Sequence, residues 1–361
     1  MKTNKDILKT LINGLIALVL LGLYIFAVVN AYGLFKGKLV LFIALLALGI
    51  VVELFLYSLL HELGHLIVGL LVGLKFSKIC VLCFLIGLEN GKLKFKIVKP
   101  TEFGYTEMLP KTVDDYAKKL ALSGVGGLGF SIISALVSML ICLNFTSNIY
   151  AFCLFGAPYP LALYIFLINA LPFFEGSDGS LIFAVTLDEK SPSTLKNYYT
   201  AIAGVLLGKE PCQLERNTLE ICDDKPFSQP LRYLRYLHYL QSDFDRAYGE
   251  ILNLSKLQVV DDDLYFNVKK ELFFCKTVLH DNNYVNENAN AIVGDIDLSE
   301  DLCNYRVHAV YRIFIKDYEF AKLIIKNGID TLSKKTQNGL IKSEIKYLKE
   351  LQTQLNEGSF N

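Results

Sequence analysis

His61, Glu62 and His65 stand in LLHELGHLIVG (59–69), two imidazoles and a carboxylate inside a run of apolar residues. On a helix, positions i and i+4 share a face, so both histidines can reach one metal ion. Glu62, next to the first histidine, then sits beside the metal's open position, where a carboxylate can take a proton from bound water. An HExxH of this kind points to zinc, which brings the pKa of such a water toward neutrality and so supplies a nucleophile for peptide hydrolysis. The chain has five histidines, and these are the only two before His238. Ionisable side chains within an apolar span are costly and mark function.

Catalytic zinc takes three protein ligands and a water. With no further histidine in this half of the chain, a carboxylate is expected. Glu53 lies two turns before His61, roughly 12 Å away along a helix, and is expected to line a polar cavity or to pair with a hydroxyl such as that of Tyr57. FLINALPFFEGSDGSLIF (166–183) offers the better candidate. Pro172 ends or kinks a helix there, and Gly176 and Gly179 let the backbone turn so that Asp178 points back inward. Glu175 is the alternative third ligand.

These residues must be positioned by membrane-spanning helices. No charged residue occurs between Thr10 and Phe35, nor between Leu120 and Phe174. Apolar runs of this length predict four spans, at about 11–35, 39–74, 119–143 and 149–171. Lys2, Lys5 and Lys9 place the N-terminus in the cytoplasm. Lys75, Lys78, the lysines of 92–99, and Lys118 and Lys119 fall on the same side, outnumbering Lys36 and Lys38 in the outer turn. His61 and Asp178 then lie at similar depth, near the cytoplasmic ends of the second and fourth spans. In KLKFKIV (92–98) lysines alternate with apolar residues, the period of a half-buried strand. A hairpin on the membrane surface with lysines toward headgroups is expected, ahead of a sheet edge that accepts an extended peptide.

Lys+Arg and Asp+Glu balance at 36 each, so charge gives no case for nucleic acid. The eight scattered cysteines form no disulfide framework, and CVLC (80–83) lacks the second pair of a structural zinc site, so reduced buried cysteines are expected. The first apolar run is too long for a signal-peptide core and is expected to be retained.

The chain resembles the site-2 protease family of intramembrane zinc metalloproteases. The resemblance rests on HELGH (61–65) in a transmembrane helix and NALP–DG (169–179), and covers about residues 39–185. The small-residue stretch ALSGVGGLG (121–129) stands where that family has a glycine-rich start to its middle core helix. The resemblance implies that His61, His65 and Asp178 bind Zn²⁺, that Glu62 is the general base, and that Asn169 helps position substrate. Asn169 and Asp178 are nine residues apart where the family usually has eight, and the small-residue stretch lacks the family's proline and asparagine.

The second half is charge-rich and reads as helical. Phe244, Tyr284 and Tyr318 recur in SDFDRA, NNYVNE and KDYEFA at spacings resembling tetratricopeptide-type helical hairpins, whose period is ~34 residues. The expectation is a mostly α chain. An N-terminal transmembrane helix (1–37) would precede a polytopic metalloprotease core (38–185) with a small β element between spans two and three. A linker (186–228) would lead to a cytoplasmic, tetratricopeptide-like helical domain (229–361). The expected setting is a bacterial cell membrane with both termini cytoplasmic. The expected partners are the lipid bilayer, a membrane protein or membrane-bound peptide as substrate, and a protein bound by the C-terminal domain. The alternative function is a non-proteolytic zinc-binding scaffold acting through that domain; a glutamate beside the ligands counts against it.

Overall fold

The computed structural model describes residues 4–32, 37–89, 91–99, 104–172, 174, 176–187, 194–222, 227–257, 262–294, 298 and 301–358. It divides into two compact units, one formed by 1–111 with 117–190 and the other by 112–116 with 191–361.

In the first unit, α1 (Asn4–Tyr32) is followed by α2 (Leu39–Leu71) and four strands: β1 (Lys75–Val81), β2 (Phe84–Glu89), β3 (Lys92–Ile97) and β4 (Gly104–Leu109). Then come α3 (Tyr116–Asn144), the single turn α4 (Ile149–Ala151), a π-helical turn (Phe152–Gly156), α5 (Tyr159–Ala170) and α6 (Asp178–Leu187). Among the described residues, four helical segments are long and apolar enough to cross a membrane: Thr10–Val29, Leu39–Leu71, Tyr116–Asn144 and Ile149–Ala170. These lie where uncharged sequence runs, because backbone polar groups are satisfied within a helix and its apolar side chains need no partner in lipid.

The second, third and fourth of these helices form the scaffold of the site. Toward the N-terminal end of α2, Phe42, Leu45 and Leu46 pack with Cys142, Ile149, Phe152 and Cys153. Further along, Tyr57 packs with Ala135 of α3 and Ala162 of α5. Small residues bring α2 and α3 together. A Cβ on Gly64 would overlap the Gly126 carbonyl oxygen, and one on Gly126 would overlap that of Gly64, the close approach that small residues permit between apolar helices. Glu53 is buried and accepts a 2.9 Å hydrogen bond from Ser138 of α3, so its partner is a serine rather than Tyr57. On the other flank, Tyr164 of α5 donates to Asn13 of α1 at 2.9 Å.

The strands form one antiparallel sheet in the order β3-β2-β1-β4. The register Phe84↔Ile97, Ile86↔Phe95 and Leu88↔Leu93 places six apolar side chains on one face of the β2–β3 hairpin, while Lys94 and Lys96 alternate with them. Every residue of β3 is exposed within the protein. It has no second layer over its apolar face among the described residues. β3 is an edge strand, but β4, at the opposite edge, is the one that meets α2. Cys80 is buried in β1 and Cys83, in the β1–β2 turn, is half-buried; both are free thiols.

The second unit is helical. Within the stretch expected to be a linker, α7 (Thr194–Leu206) and two 3₁₀ turns (Pro211–Gln213, Arg216–Leu219) bury Ala201, Val205, Leu214 and Leu219 against Leu231 and Leu234. Then follow α8 (Ser228–Tyr239), α9 (Phe244–Ser255), α10 (Asp262–Val278), α11 (Asn282–Val293), α12 (Asn304–Phe314), α13 (Tyr318–Leu332) and α14 (Gly339–Asn356). Asp243, Asp281 and Asp317 cap α9, α11 and α13, each accepting from a backbone amide of the first turn. The residues four and eight beyond each cap are Ala247 and Ile251, Val285 and Ala289, Ala321 and Ile325, and all six are buried. The three segments noted in the sequence thus share a cap and two core positions. Their aromatic markers fall out of register in the middle copy, where Tyr284 stands three residues after its cap and Phe244 and Tyr318 one after theirs.

Candidate metal centre

His61 and His65 sit on consecutive turns of α2, and their rings meet edge to face with centroids 4.7 Å apart. Their Nε2 atoms are 3.1 Å apart. Asp178 Oδ2 lies 3.3 Å from His61 Nε2 and 3.2 Å from His65 Nε2. Asp178 comes from the far end of the chain segment through a series of local choices. Leu171 precedes Pro172, takes an extended conformation (ψ 130°) and ends α5, as the clash of a proline ring with the preceding residue requires. Gly176 has φ +82°, a conformation glycine adopts without penalty. Ser177 Oγ accepts from Ser180 N and starts α6, whose first residue is Asp178. A Cβ on Gly179 would overlap the Ala170 carbonyl oxygen, so this glycine permits close packing of α6 on the end of α5 rather than a turn. Glu175 lies outside the described residues.

The three donor atoms fit a zinc ion. Ligands ~2.0–2.1 Å from a tetrahedral zinc stand roughly 3.3 Å from one another, which matches the observed separations of 3.1–3.3 Å. Asp178 Oδ2 is buried and has no hydrogen-bond donor, a state that is costly for a carboxylate oxygen unless a cation completes it. The outer nitrogens are also provided for. Ser131 Oγ of α3 is 2.7 Å from His61 Nδ1. Ser123 Oγ is 3.5 Å from His65 Nδ1 and donates to the His65 carbonyl at 2.9 Å. With Nε2 turned to a metal, Nδ1 of His61 carries the proton and donates to Ser131, the arrangement that fixes ring orientation in metal sites. Gly127 lies across from His65, where a Cβ would come within 2.5 Å of Nε2.

Glu62 lines the same cavity, which has a volume of about 630 Å³ and is also lined by Tyr57, Asn169, Gly104, Tyr105 and Thr106. Thr106 Oγ1 of β4 lies 2.7 Å from Glu62 Oε2 and 3.1 Å from the Glu62 carbonyl oxygen. Gly104 leaves room for the carboxylate: a Cβ there would be 2.9 Å from Glu62 Oε1. The structure thus brings together His61, Glu62, His65, Asn169 and Asp178 around one cavity.

Sequence reasoning missed the residues that support them. Ser123, Ser131 and Ser138 recur every seven or eight residues along α3 and share a face, a signal that was available. Thr106 and Gly104 carried none, since only the packing of β4 on α2 gives them a role. Comparisons with protein-family models, with curated proteins and with solved structures found no match to this chain.

Proposed function

We propose that the chain is an intramembrane zinc metallopeptidase that hydrolyses peptide bonds in or near the transmembrane segments of other proteins. The observation that carries this reading is the convergence of His61, His65 and Asp178 to 3.1–3.3 Å in one cavity with Glu62, on helices apolar enough to span a bilayer. Zinc held by these three residues would polarise a water and the scissile carbonyl and keep one position open. Glu62 removes a proton from the water as its oxygen bonds to the carbonyl carbon. It then returns that proton to the amide nitrogen as the C–N bond breaks. Thr106 holds the carboxylate in place for both transfers.

A helical substrate hides its amides and must unwind to be cut. The outer edge of β4 supports an extended peptide here, because Gly104, Tyr105 and Thr106 line the cavity beside Glu62. A strand added to this edge would run past the metal position. The edge at 92–97 lies at the opposite side of the sheet. The exposed apolar face of the β2–β3 hairpin suits burial in lipid, with Lys94 and Lys96 toward headgroups. The capped helical hairpins of the second unit are read as a module that binds a partner or controls access.

Purified protein in detergent should hold about one zinc per chain and cleave a peptide carrying a transmembrane segment. His61→Ala should lose both properties. Zinc content unchanged in His61→Ala would refute the site. Bound zinc without cleavage of any membrane substrate would favour the scaffold.

A further inference from the structure

One side chain in the cavity has no role in the scheme above. Tyr57 stands one turn before His61 on the same face of α2 and is almost fully buried, at 2 % exposure. Its ring stacks on the His61 imidazole, with centroids 6.1 Å apart and planes 13° from parallel. Its hydroxyl faces Ser131 and Asn169, but no protein atom completes a hydrogen bond of good geometry with it. Ser131 Oγ already faces His61 Nδ1, and Asn169 of α5 lines the same cavity. A buried hydroxyl without a partner is destabilising. Phenylalanine would fill the same space beside His61, Ala135 and Ala162 without that cost. The hydroxyl is therefore best explained by a partner that arrives with the substrate.

The helix puts Tyr57 and Glu62 on opposite sides of His61. Tyr57 is rotated about 40° one way around the axis and Glu62 about 100° the other. A peptide carbonyl attacked by water from the Glu62 side would direct its oxygen away from that carboxylate. Asn169, which lines the cavity as well, offers a second amide donor to the same region.

We propose that Tyr57 donates a hydrogen bond to the carbonyl oxygen of the scissile peptide as negative charge builds on it. The inference rests on the peptidase reading. When the water oxygen bonds to the carbonyl carbon, one water proton passes to Glu62 and the π pair of the C=O bond moves onto oxygen. Tyr57 keeps its proton and stabilises that oxygen through the hydrogen bond. The pair then returns to re-form C=O, the C–N bond breaks, and Glu62 delivers its proton to the nitrogen. Such a donor, fixed before the reaction by packing, acts on the transition state more than on bound substrate.

The test compares zinc-loaded, full-length wild type with Tyr57→Phe, which keeps the ring. Three quantities are measured: zinc content, kcat and KM on a transmembrane peptide, and affinity for a phosphinic peptide whose tetrahedral oxygens imitate the attacked carbonyl. Zinc content and KM should be unchanged, kcat should fall roughly 100- to 1000-fold, and the phosphinic peptide should bind at least about tenfold more weakly. A Tyr57→Phe protein that matches wild type in kcat and phosphinic-peptide affinity overturns the assignment and leaves the peptidase reading intact. So does one whose loss of activity follows a loss of zinc. A wild-type protein that holds zinc yet neither cleaves the peptide nor binds the phosphinic peptide overturns the peptidase reading, and the Tyr57 assignment with it.

Discussion

Ser131 and Thr106 each direct a hydroxyl at a side chain of the HELGH turn, Ser131 at His61 and Thr106 at Glu62. The two have separable consequences. Ser131→Ala removes the partner of His61 Nδ1, and zinc affinity should fall about 10- to 100-fold, measured by competition with a chelator of known strength. Thr106→Val leaves His61, His65 and Asp178 in place, so zinc content should hold while kcat drops roughly tenfold or more because Glu62, the proposed general base, is no longer fixed. The pairing of His61 with His65 was legible because HExxH needs only helix periodicity to bring two imidazoles together. The turn that brings Asp178 inward was legible from Pro172 and Gly176, whereas Gly179 serves packing. The supporting hydroxyls were not legible, since a serine in an apolar helix gains its meaning from what faces it. Glu53 illustrates the same limit. A buried partner was expected, but Ser138 is 85 positions away and the sequence could not single it out.

Among the elements, α3 does the most to shape the site. Gly126 lets it approach α2 closely, backbone against Gly64. Gly127 has a different task, because a methyl group there would occupy space beside His65 Nε2. Gly127→Ala should therefore lose most of its zinc while its helix content, followed by circular dichroism, stays near wild type. The β element was legible as alternating residues. β3 is exposed on both faces, and the strand that matters for chemistry is β4, whose sequence GYTEML has no special pattern. In the second unit the turns were found through their aromatics. The working signal is the aspartate cap, and the middle copy misleads because its aromatic sits two positions later.

At the scale of the molecule, the two units meet opposite demands on buried charge. In the second, Arg306 is fully buried and donates bidentately to Glu271 (2.9 and 2.7 Å) and also to Glu344 (3.0 and 2.8 Å). Tyr236 donates to Glu271 as well, at 2.7 Å. Removing the cation leaves buried carboxylates facing one another, so Arg306→Ala should cost about 3–5 kcal/mol, read as a lowered unfolding midpoint of the helical unit. His308 is buried nearby with its Nε2 unpaired. Burial, with Arg312 and Lys270 adding to it, lowers its pKa from 6.5 to about 4. The unfolded chain then binds the proton more readily than the folded one. The stability contributed by neutral His308 is complete above pH 6.5 and is lost as pH falls toward 4, by at most about 1.4 kcal/mol per pH unit. His308→Gln should flatten this part of the stability profile. None of this network was legible, because its members are scattered across four helices and each charged one looks like an ordinary surface charge in the sequence.

The most direct measurement places wild type and Glu62→Gln in liposomes with a transmembrane substrate, at matched zinc content. Cleavage by the wild type, with the variant keeping its zinc but losing at least about a hundredfold in rate, is the predicted result. Equal cleavage by both proteins would contradict the account, since Glu62 would then have no part in the chemistry.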